Sequence, residues 1–456
     1  MDLSFHEIVQ LDSAWQTVGD PPSGAVPGIS TDSRQMRPGE VFVPIKGDNF
    51  DGHQFVEAAL DHGASLAIVE REWFENNRDR VADKPLLLVP NALEAYQDIA
   101  RHHRKKLDPQ VVALTGSAGK TTCKEMLFAV LQQKYNVLKN IKSFNNHVGV
   151  PQTLLDLQPQ HEVLVAELGT SGFGEIERLS YLVEPDLCLL LNIGYAHVEF
   201  LKDLQGVARA KMEIFAHANV NGTAVYNADD LMLRQQHYAV SEVISFAIDS
   251  FADVRATNLH CNAAGKYSFE CAGERFHLQL PGRHNVYNAL AAIAIGFYFE
   301  VPIQDVKQAI EMEMHVEHRM QVVQHGNLLI VDDAYNANPN SCRAALSMLA
   351  DITLSSGGRR IAAIGDMLEL GDHSEPEHRR LADVARHAHI DKLLLYGANT
   401  RVTAERAREL GMHVEHFQDQ ASLIAALQHT LHGGDVVLVK GSRSMHMERI
   451  VEALHS

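Results

Sequence analysis

The segment Val111-Val112-Ala113-Leu114-Thr115-Gly116-Ser117-Ala118-Gly119-Lys120-Thr121-Thr122 decides the fold of the central part of this chain. Its apolar start predicts a buried strand, its glycines predict a tight loop, and the residues after Gly119 have the pattern of a helix. Glycines let backbone N–H groups approach phosphate oxygens, and the start of a helix directs its positive end at them. Lys120 adds a positive charge and Thr121 can bind magnesium. The segment therefore predicts a site for a nucleoside triphosphate.

The segment is a variant of the phosphate-binding loop and does not match its usual pattern completely. Leu114 stands where the first glycine of G-x-x-x-x-G-K-[ST] belongs, and the loop carries Gly116 instead. The alternative is a chance Gly-Lys-Thr sequence in a polar loop. The strand pattern before it and the helix pattern after it favour the phosphate-binding interpretation.

Length and composition bound the class of protein. At about 100–200 residues per domain, 456 residues suggest two to four domains, and three fit the pattern best. The formal charge of −18, from 58 acidic and 40 basic residues, disfavours nucleic acid as the main partner. The cysteines are few and scattered without a C-x-x-C pair, which fits a reducing cytosol. We find no export signal and no stretch long enough to span a membrane, so we expect a cytoplasmic protein.

The chain is predicted to be an α/β protein of three domains. Residues 1–89 mix short strands and helices, as in a small α/β domain. Residues 90–318 alternate apolar runs with helical patterns, which predicts a mainly parallel sheet, and the period-two stretch from Val254 to Leu280 predicts antiparallel hairpins. Residues 319–456 contain buried-type strands separated by amphipathic helices, typical of a doubly wound, Rossmann-like domain.

Polar side chains follow the predicted strands of the central region. Glu167 ends the strand that begins at Val163, so its carboxylate is expected to face the phosphate crevice as a magnesium ligand. His197 follows the next strand in the same manner, although one histidine among 26 is more often structural or solvated. Lys211 lies in a helical stretch, where a lysine alone is uninformative.

Taken together, these segments resemble the Mur ligase family, ATP-dependent amide-bond-forming enzymes of peptidoglycan precursor synthesis, over essentially the whole chain. The order and spacing of the matching elements make coincidence an unconvincing explanation. The elements are Thr115–Thr122, Asn145–Pro151, Glu167, Asn192–His197, Lys211, Pro281–Asn285, Arg319 and Asp332–Asp333.

The resemblance implies roles that spacing does not give. In this family the lysine that matches Lys211 is carbamylated and becomes a magnesium ligand together with His197, while Thr121 and Glu167 hold another magnesium ion. Thr115–Thr122 and Lys120 bind ATP, and Arg319 reaches the transferred phosphoryl group. Asp332 or Asp333, with Asn288, holds the ribose and adenine.

The substrate class follows from the same resemblance. The segment Asp333–Ser341 looks like the family member that adds D-alanyl-D-alanine to UDP-N-acetylmuramoyl-tripeptide, and the arginine-containing motif of other members is missing. Gly365–Gly371 and Lys440–Met445 resemble that member too. The alternative is that Asn336–Pro339 is only a turn cluster. The substrate contacts implied by the resemblance are Asn145, Asn146, Tyr335, Asn336, Asn338 and Ser341.

The first domain resembles the family's UDP-binding domain, particularly over residues 31–34, 38–42 and 46–53. Ser33, Arg34 and Lys46 offer a hydroxyl, a guanidinium and an ammonium, groups suited to a diphosphate. Ala118 and Cys123 depart from the family pattern, and an exposed Cys123 thiol near the phosphates would be open to oxidation.

The alternatives to this reading are a sibling ligase that adds a different amino acid, a folylpolyglutamate synthase, and an ATP-binding regulator without catalysis. The first domain and Asn336–Pro339 argue against the folylpolyglutamate synthase. The intact set of Glu167, His197, Lys211 and Arg319 argues against the regulator. We expect a monomer.

Overall fold

A computed structural model describes residues 1, 3–47 and 50–455 of the chain. These residues form two compact units. The first contains Met1–Ala113, Tyr135–Leu168 and Glu177–Pro185, and the second contains Leu114–Lys134, Gly169–Ile176 and the chain from Asp186 onward. The division into domains at residues 89 and 318 stays a prediction, whereas the α/β fold class is confirmed.

The chain begins with short strands and helices packed around a small sheet. The strand order is β1-β5-β4-β3-β2, parallel except for β1. The side chains of Phe42, Val56, Val69 and Leu86 belong to its apolar core. The predicted strands at Val41 and Leu66 are present. In chain order the elements are α1 (Phe5–Val9), β1 (Gln16–Val18), β2 (Ile29–Ser30), β3 (Val41–Phe42), α2 (Val56–Asp61), β4 (Leu66–Glu70), α3 (Arg71–Val81), β5 (Leu86–Val89) and α4 (Ala92–Leu107).

The middle of the chain alternates strands and helices, as the apolar runs predict. The strands that begin at Gln110, Val163, Leu187 and Thr223 are almost wholly buried on both faces, the pattern of parallel sheets covered by helices. The elements are β6 (Gln110–Thr115), α5 (Lys120–Leu131), β7 (Val137–Lys139), α6 (Gly149–Leu155), β8 (Val163–Glu167), α7 (Glu175–Val183), β9 (Leu187–Leu190), α8 (Val198–Leu201), α9 (Leu204–Met212), β10 (Thr223–Asn227), α10 (Leu231–Arg234), β11 (Glu242–Ala247), β12 (Val254–Arg255), β13 (Thr257–Cys261), β14 (Lys266–Cys271), β15 (Glu274–Pro281), α11 (His284–Tyr298) and α12 (Ile303–Glu311).

Both kinds of sheet predicted for this region are present. In the second unit β12, β11, β10 and β9 lie side by side and parallel. In the first unit β7 lies parallel to β8, with Val137 opposite Val163. The hairpins β13-β14-β15 are antiparallel, and Phe269 stacks on Phe276 across the β14–β15 pair. Strand β9 ends at Leu190, and the next residue, Leu191, donates its backbone N–H to Thr115 O (3.0 Å).

The C-terminal region forms a doubly wound sheet of strand order β16-β17-β21-β18-β19-β20, parallel except for the edge strand β16. Because β21 returns between β17 and β18, the loops after these strands meet at the carboxyl edge, where such sheets bind ligands. The elements are β16 (Gln321–His325), β17 (Leu328–Asp333), α13 (Pro339–Asp351), β18 (Arg360–Gly365), α14 (Ser374–His387), β19 (Lys392–Tyr396), α15 (Thr400–Glu409), β20 (His413–Phe417), α16 (Gln420–Thr430), β21 (Val436–Lys440) and α17 (Glu448–His455).

Short 3-10 helices complete the fold, at Gly52–Phe55, Glu213–Phe215, Gly371–His373 and Arg443–Met445. In the part of the chain that the structure describes, no helix combines the length and apolar character needed to cross a membrane.

Candidate nucleotide and metal site

The phosphate loop joins the end of β6 to the start of α5. Gly119 precedes Lys120 with a φ of 83°, and a methyl group there would lie 2.8 Å from Asn288 Oδ1. A methyl group at Gly116 would lie 2.9 Å from the Leu191 side chain. Both positions therefore require glycine, for conformation at one and for close packing at the other. The Lys120 ammonium turns back over the loop and donates to Gly116 O (2.8 Å).

The loop is held in shape by the segment after β9. Ala118 N donates to Asn192 Oδ1 (2.9 Å), and Asn192 Nδ2 donates to Ala118 O (3.0 Å). Ser117 Oγ donates to Gly194 O (3.1 Å) and accepts from Gly194 N (2.9 Å). Because only the backbone of Ala118 takes part, its departure from the family pattern leaves these contacts intact. Asn192 is a functional residue of the loop that the sequence interpretation did not single out.

Cys123, the other departure, lies inside α5. Its side chain is fully buried, and Sγ lies 3.9 Å from Asn288 O. The expected danger of oxidation applies to an exposed thiol, so it does not arise here.

Lys211 is buried in α9, with 3 % of its surface exposed. Burial, reinforced by the positive charge of Lys120, holds the pKa of the Lys211 amine well below its usual range. A buried ammonium loses its hydration, and a second cation nearby makes the charged form costlier still. Burial therefore favours the neutral amine of Lys211 more than solvent favours that of an ordinary surface lysine.

His197 stands at the start of α8 with a left-handed backbone, φ 56°. Its Nδ1 lies 2.5 Å from Glu369 Oε2, in the loop after β18. Nδ1 is buried, and the contact is an ion pair that does not meet the geometric criteria of a hydrogen bond. The neighbouring imidazole keeps the pKa of Glu369 below its usual range, against the effect of burial.

Glu167, at the end of β8 in the first unit, is buried and held by two asparagines. Asn145 Nδ2 donates to Glu167 Oε1 (2.8 Å), and Glu167 N donates to Asn140 Oδ1 (2.6 Å). The Asn145 amide thus orients the carboxylate. Asn146 Oδ1 accepts from Gly149 N (2.9 Å) at the start of α6.

Arg319 lies against the phosphate loop within the second unit. Its Nη2 donates to Thr121 Oγ1 (3.4 Å), and its guanidinium carbon lies 4.1 Å from the centroid of the Tyr335 ring. Arg443 approaches the same ring at 5.5 Å. Stacking on an aromatic face restricts a guanidinium while leaving its N–H groups available.

The Asp332 and Asp333 carboxylates at the end of β17 both have protein partners. Asp332 Oδ2 lies 2.8 Å from His318 Nδ1, and Asp333 Oδ2 accepts from Lys440 Nζ (2.5 Å). Asn288, on α11, donates to Asn285 Oδ1 (3.0 Å).

Individual side chains of this region offer oxygen atoms of the kind that magnesium binds. Within residues 1, 3–47 and 50–455, no three His, Cys, Asp or Glu side chains converge as a ready-made metal cage. Magnesium usually keeps several waters and takes one or two carboxylates along with substrate phosphates. The buried, oriented carboxylate of Glu167 in the first unit and the Thr121 hydroxyl at the start of α5 in the second unit are each an oxygen donor of that kind.

Comparison with known proteins identifies the family. Residues 25–104 match the model of the Mur ligase family catalytic domain, residues 114–296 the Mur ligase middle domain, and residues 318–443 the Mur ligase glutamate ligase domain. The chain is 37 % identical over 435 residues to UDP-N-acetylmuramoyl-tripeptide--D-alanyl-D-alanine ligase of Escherichia coli (strain K12), covering 93 % of each chain. The chain belongs to the Mur ligase family.

Solved structures agree with this assignment. A crystal structure of MurF from Acinetobacter baumannii superposes with a TM-score of 0.86 at 32 % identity, covering 95 % of this chain and 94 % of that one. MurF ligase from Thermotoga maritima in complex with ADP superposes with a TM-score of 0.82 at 28 % identity, covering 94 % and 97 %. The family resemblance drawn from the sequence is confirmed.

The segment Asp333–Ser341 of this Mur ligase leads into α13 and contacts the phosphate loop. Asn338 caps α13 by accepting from Ser341 N (2.8 Å), and Ser341 Oγ accepts from Asn338 N (3.0 Å), which forms a capping box. Asn338 Nδ2 also donates to Ser117 O in the phosphate loop (3.1 Å). Asn336 is exposed, and its Oδ1 accepts from Arg443 N (3.3 Å). Asn338 and Pro339 thus begin α13, and the substrate contacts stay a prediction.

The predicted diphosphate contacts lie on the surface of the first unit. Arg34 forms a two-pronged ion pair with Asp32, each hydrogen bond 2.9 Å long, so its fork is already engaged. Ser33 is half-buried and Lys46 is exposed. Asp48 and Asn49, part of the matching motif, lie outside the described residues. The role of these side chains in binding UDP stays a prediction.

The structure adds contacts that the sequence interpretation missed. Lys440 bridges Asp333 and Asn336 O (2.8 Å), and Ser442 Oγ accepts from Leu368 N (2.8 Å). These residues belong to motifs that resemble the family, and their position at the carboxyl ends of predicted strands was the available signal. That signal does not predict which strands lie next to each other in the sheet.

His284, the first residue of α11, gives a prediction about stability. Burial lowers the pKa of its imidazole to about 4. Because the unfolded chain takes up this proton near pH 6.5, the neutral ring contributes its full stabilisation above that pH and loses it as the pH falls toward 4. Allowing for partial exposure, we expect about 2 kcal/mol of the free energy of unfolding to depend on this group.

Urea unfolding between pH 7.5 and 4.5 measures the effect. We expect His284→Gln to flatten the loss of stability with falling pH, while His260→Gln, an exposed histidine of β13, leaves it unchanged. Equal slopes for the wild type and His284→Gln would contradict the assignment.

Proposed function

We propose that this Mur ligase joins D-alanyl-D-alanine to UDP-N-acetylmuramoyl-tripeptide with the consumption of ATP, giving UDP-N-acetylmuramoyl-pentapeptide, ADP and phosphate. The observation that carries the proposal is the contact of Asn338 with Ser117 O. It puts the segment that resembles the dipeptide-adding member directly beside the phosphate loop. The extensive identity to a relative named for this reaction supports the same choice, and ATP as substrate accords with the ADP complex of the Thermotoga maritima protein.

In the first step an oxygen of the tripeptide carboxylate attacks the γ-phosphorus of ATP. The bond from phosphorus to the bridging oxygen breaks, and an acyl phosphate and ADP form. Both reactants are anions, so catalysis depends on charge neutralisation in a preorganised site. Lys120 and Arg319 supply positive charge, and the phosphate loop supplies backbone N–H groups. Magnesium, held by Thr121 and Glu167 and by His197 and modified Lys211, would supply further neutralisation.

In the second step the dipeptide amine attacks the acyl carbon. The carbon–nitrogen bond forms, phosphate leaves, and the nitrogen loses a proton. The acyl phosphate is labile in water, so packing of the C-terminal loops against the phosphate loop serves to keep water away from it.

Lys211 must be a neutral amine before it can form a carbamate, and its burial favours that form. An ammonium cannot bind a metal cation, whereas a neutral amine can attack carbon dioxide and release a proton to give a carbamate. The lowered pKa of Lys211 favours the neutral amine. The carbamate would then offer carboxylate-like oxygens as metal ligands.

The test is a phosphate-release assay with purified protein, ATP, magnesium and UDP-N-acetylmuramoyl-tripeptide, with product mass determined. Release and a UDP-pentapeptide mass with D-alanyl-D-alanine alone are expected. Turnover with a single amino acid would replace the proposal by a sibling ligase. Turnover with a folate substrate would indicate the folylpolyglutamate synthase, and no turnover would favour a nucleotide-binding regulator. Sedimentation of the same sample tests the predicted monomer.

A further inference from the structure

The loop after β18 contacts the loop that carries His197. Glu369 Oε2 lies 2.5 Å from His197 Nδ1, and Glu199 N donates to Glu369 O (3.2 Å). Gly371 packs on the same turn, where a methyl group would lie 3.1 Å from Glu199 Cα. Side chain, backbone and close packing thus fix Glu369 against the start of α8.

Further contacts on either side hold the two loops together. His373 Nε2 lies 3.0 Å from Lys202 O, and the His373 ring lies 5.3 Å from the ring of Tyr195. Glu369 and His197 both have left-handed backbones, with φ of 61° and 56°. Non-glycine residues adopt this conformation only where the surrounding structure holds them, and such residues concentrate at functional sites. The backbone conformations of both loops and the contacts of His373 therefore support the contact between Glu369 and His197.

We propose that Glu369 is a positioning residue for His197. Its carboxylate lies 2.5 Å from Nδ1 and would restrict the imidazole ring so that Nε2 is left to face a metal ion bound with the nucleotide. Histidine ligands of metals commonly use their second ring nitrogen in this way, which fixes the orientation and tautomer of the ring. The inference rests on the proposed function, in which His197 is a magnesium ligand.

The contact between Glu369 and His197 joins two loops that follow different strands. His197 follows β9, whereas Glu369 follows β18 of the C-terminal sheet. The carboxylate is available to His197 only when the two loops are packed together. The contact therefore depends on the packing of these two loops against each other.

A second use for an exposed carboxylate at this edge is binding the ammonium group of the incoming dipeptide. The side chain of Glu369 is 48 % exposed, so a substrate could reach it. The two roles differ in what they affect. A positioning role changes metal affinity, and a substrate role changes the KM for the dipeptide.

The test is Glu369→Gln, which keeps the length of the side chain and removes its charge. Binding of Mn²⁺ is measured by electron paramagnetic resonance in the presence of a non-hydrolysable ATP analogue and without peptide substrates. We expect the Kd of Mn²⁺ at the site containing His197 to rise about 10-fold. The Mg²⁺ concentration for half-maximal activity should rise similarly, with the KM for D-alanyl-D-alanine unchanged.

Controls separate this effect from others. Asp372→Asn removes an exposed carboxylate of the same loop and should leave Mn²⁺ binding unchanged. His197→Gln should remove the same Mn²⁺ site, and adding Glu369→Gln to it should cause no further loss. Melting temperatures of all variants report on folding.

Unchanged Mn²⁺ affinity in Glu369→Gln would overturn the proposal, as would retention of the site in His197→Gln. A raised KM for the dipeptide with unchanged Mn²⁺ affinity would assign Glu369 to the substrate instead. If the wild type makes no UDP-pentapeptide, the proposed function fails, and the Mn²⁺ comparison still decides the role of Glu369.

Discussion

Lys211→Ala is expected to lower kcat about 10³-fold, with partial recovery on addition of acetate or a similar small carboxylate. Removing one preorganised group that stabilises developing charge typically costs a factor of about 10²–10³. The side chain is buried beside Lys120, where alanine leaves room for a small anion. A carboxylate that enters this space replaces the carbamate oxygens but not the covalent attachment, so recovery is incomplete.

Steady-state phosphate release with and without acetate measures this effect. Chloride at the same ionic strength controls for salt, and Lys106→Ala, a lysine paired with Glu7, controls for loss of a lysine in general. A mass of 44 Da above that of the chain, lost at acid pH, would report the carbamate directly. Full activity in Lys211→Ala, or loss of activity that no carboxylate restores, would remove the carbamate from the mechanism.

Arg319→Ala is expected to lower kcat about 10³-fold with little change in the affinity for ADP. An arginine that acts on a transferred phosphoryl group is worth about 10³–10⁵ in rate, because it stabilises charge that develops in the transition state. Arg319→Lys should recover only a small part, since an ammonium cannot stack on Tyr335 or offer a planar fork.

The Tyr335 ring provides a graded check on this role. Tyr335→Phe keeps the aromatic face and should retain most of kcat, whereas Tyr335→Ala should fall between the wild type and Arg319→Ala. Arg343→Ala, an exposed arginine of α13, is the matched control. A large rise in the KM for ATP with unchanged kcat would show that Arg319 only binds the ground state.

The structure shows how the two residues that depart from the family pattern, Ala118 and Cys123, are placed in the phosphate loop and α5. Ala118 and Cys123 differ in side chain from the residues usual in the phosphate loop, which raised the question of altered nucleotide affinity. Ala118 forms hydrogen bonds with Asn192 through its backbone, and the side chain of Cys123 is buried. Neither departure therefore removes a group that the proposed mechanism needs.

Motifs along the whole chain indicate the family, and local patterns predict the α/β class, the buried strands, the hairpins and the phosphate loop. These features are local, because apolar periodicity and the glycine spacing are set over a few residues. The capping box of Asn338 and Ser341 is local as well. The sequence alone also placed Glu167 at the end of its strand, where the structure places it.

Which of these residues meet depends on long-range packing in the folded chain. Asn338 and Ser117 are 221 positions apart, and Lys440 and Asp333 are 107 apart, so no local pattern encodes either contact. The lowered pKa of Lys211 likewise depends on burial and on Lys120, and the contact of Glu369 with His197 depends on two loops that follow distant strands. The sequence supplied the chemical groups, and long-range packing gave them their partners and their ionisation.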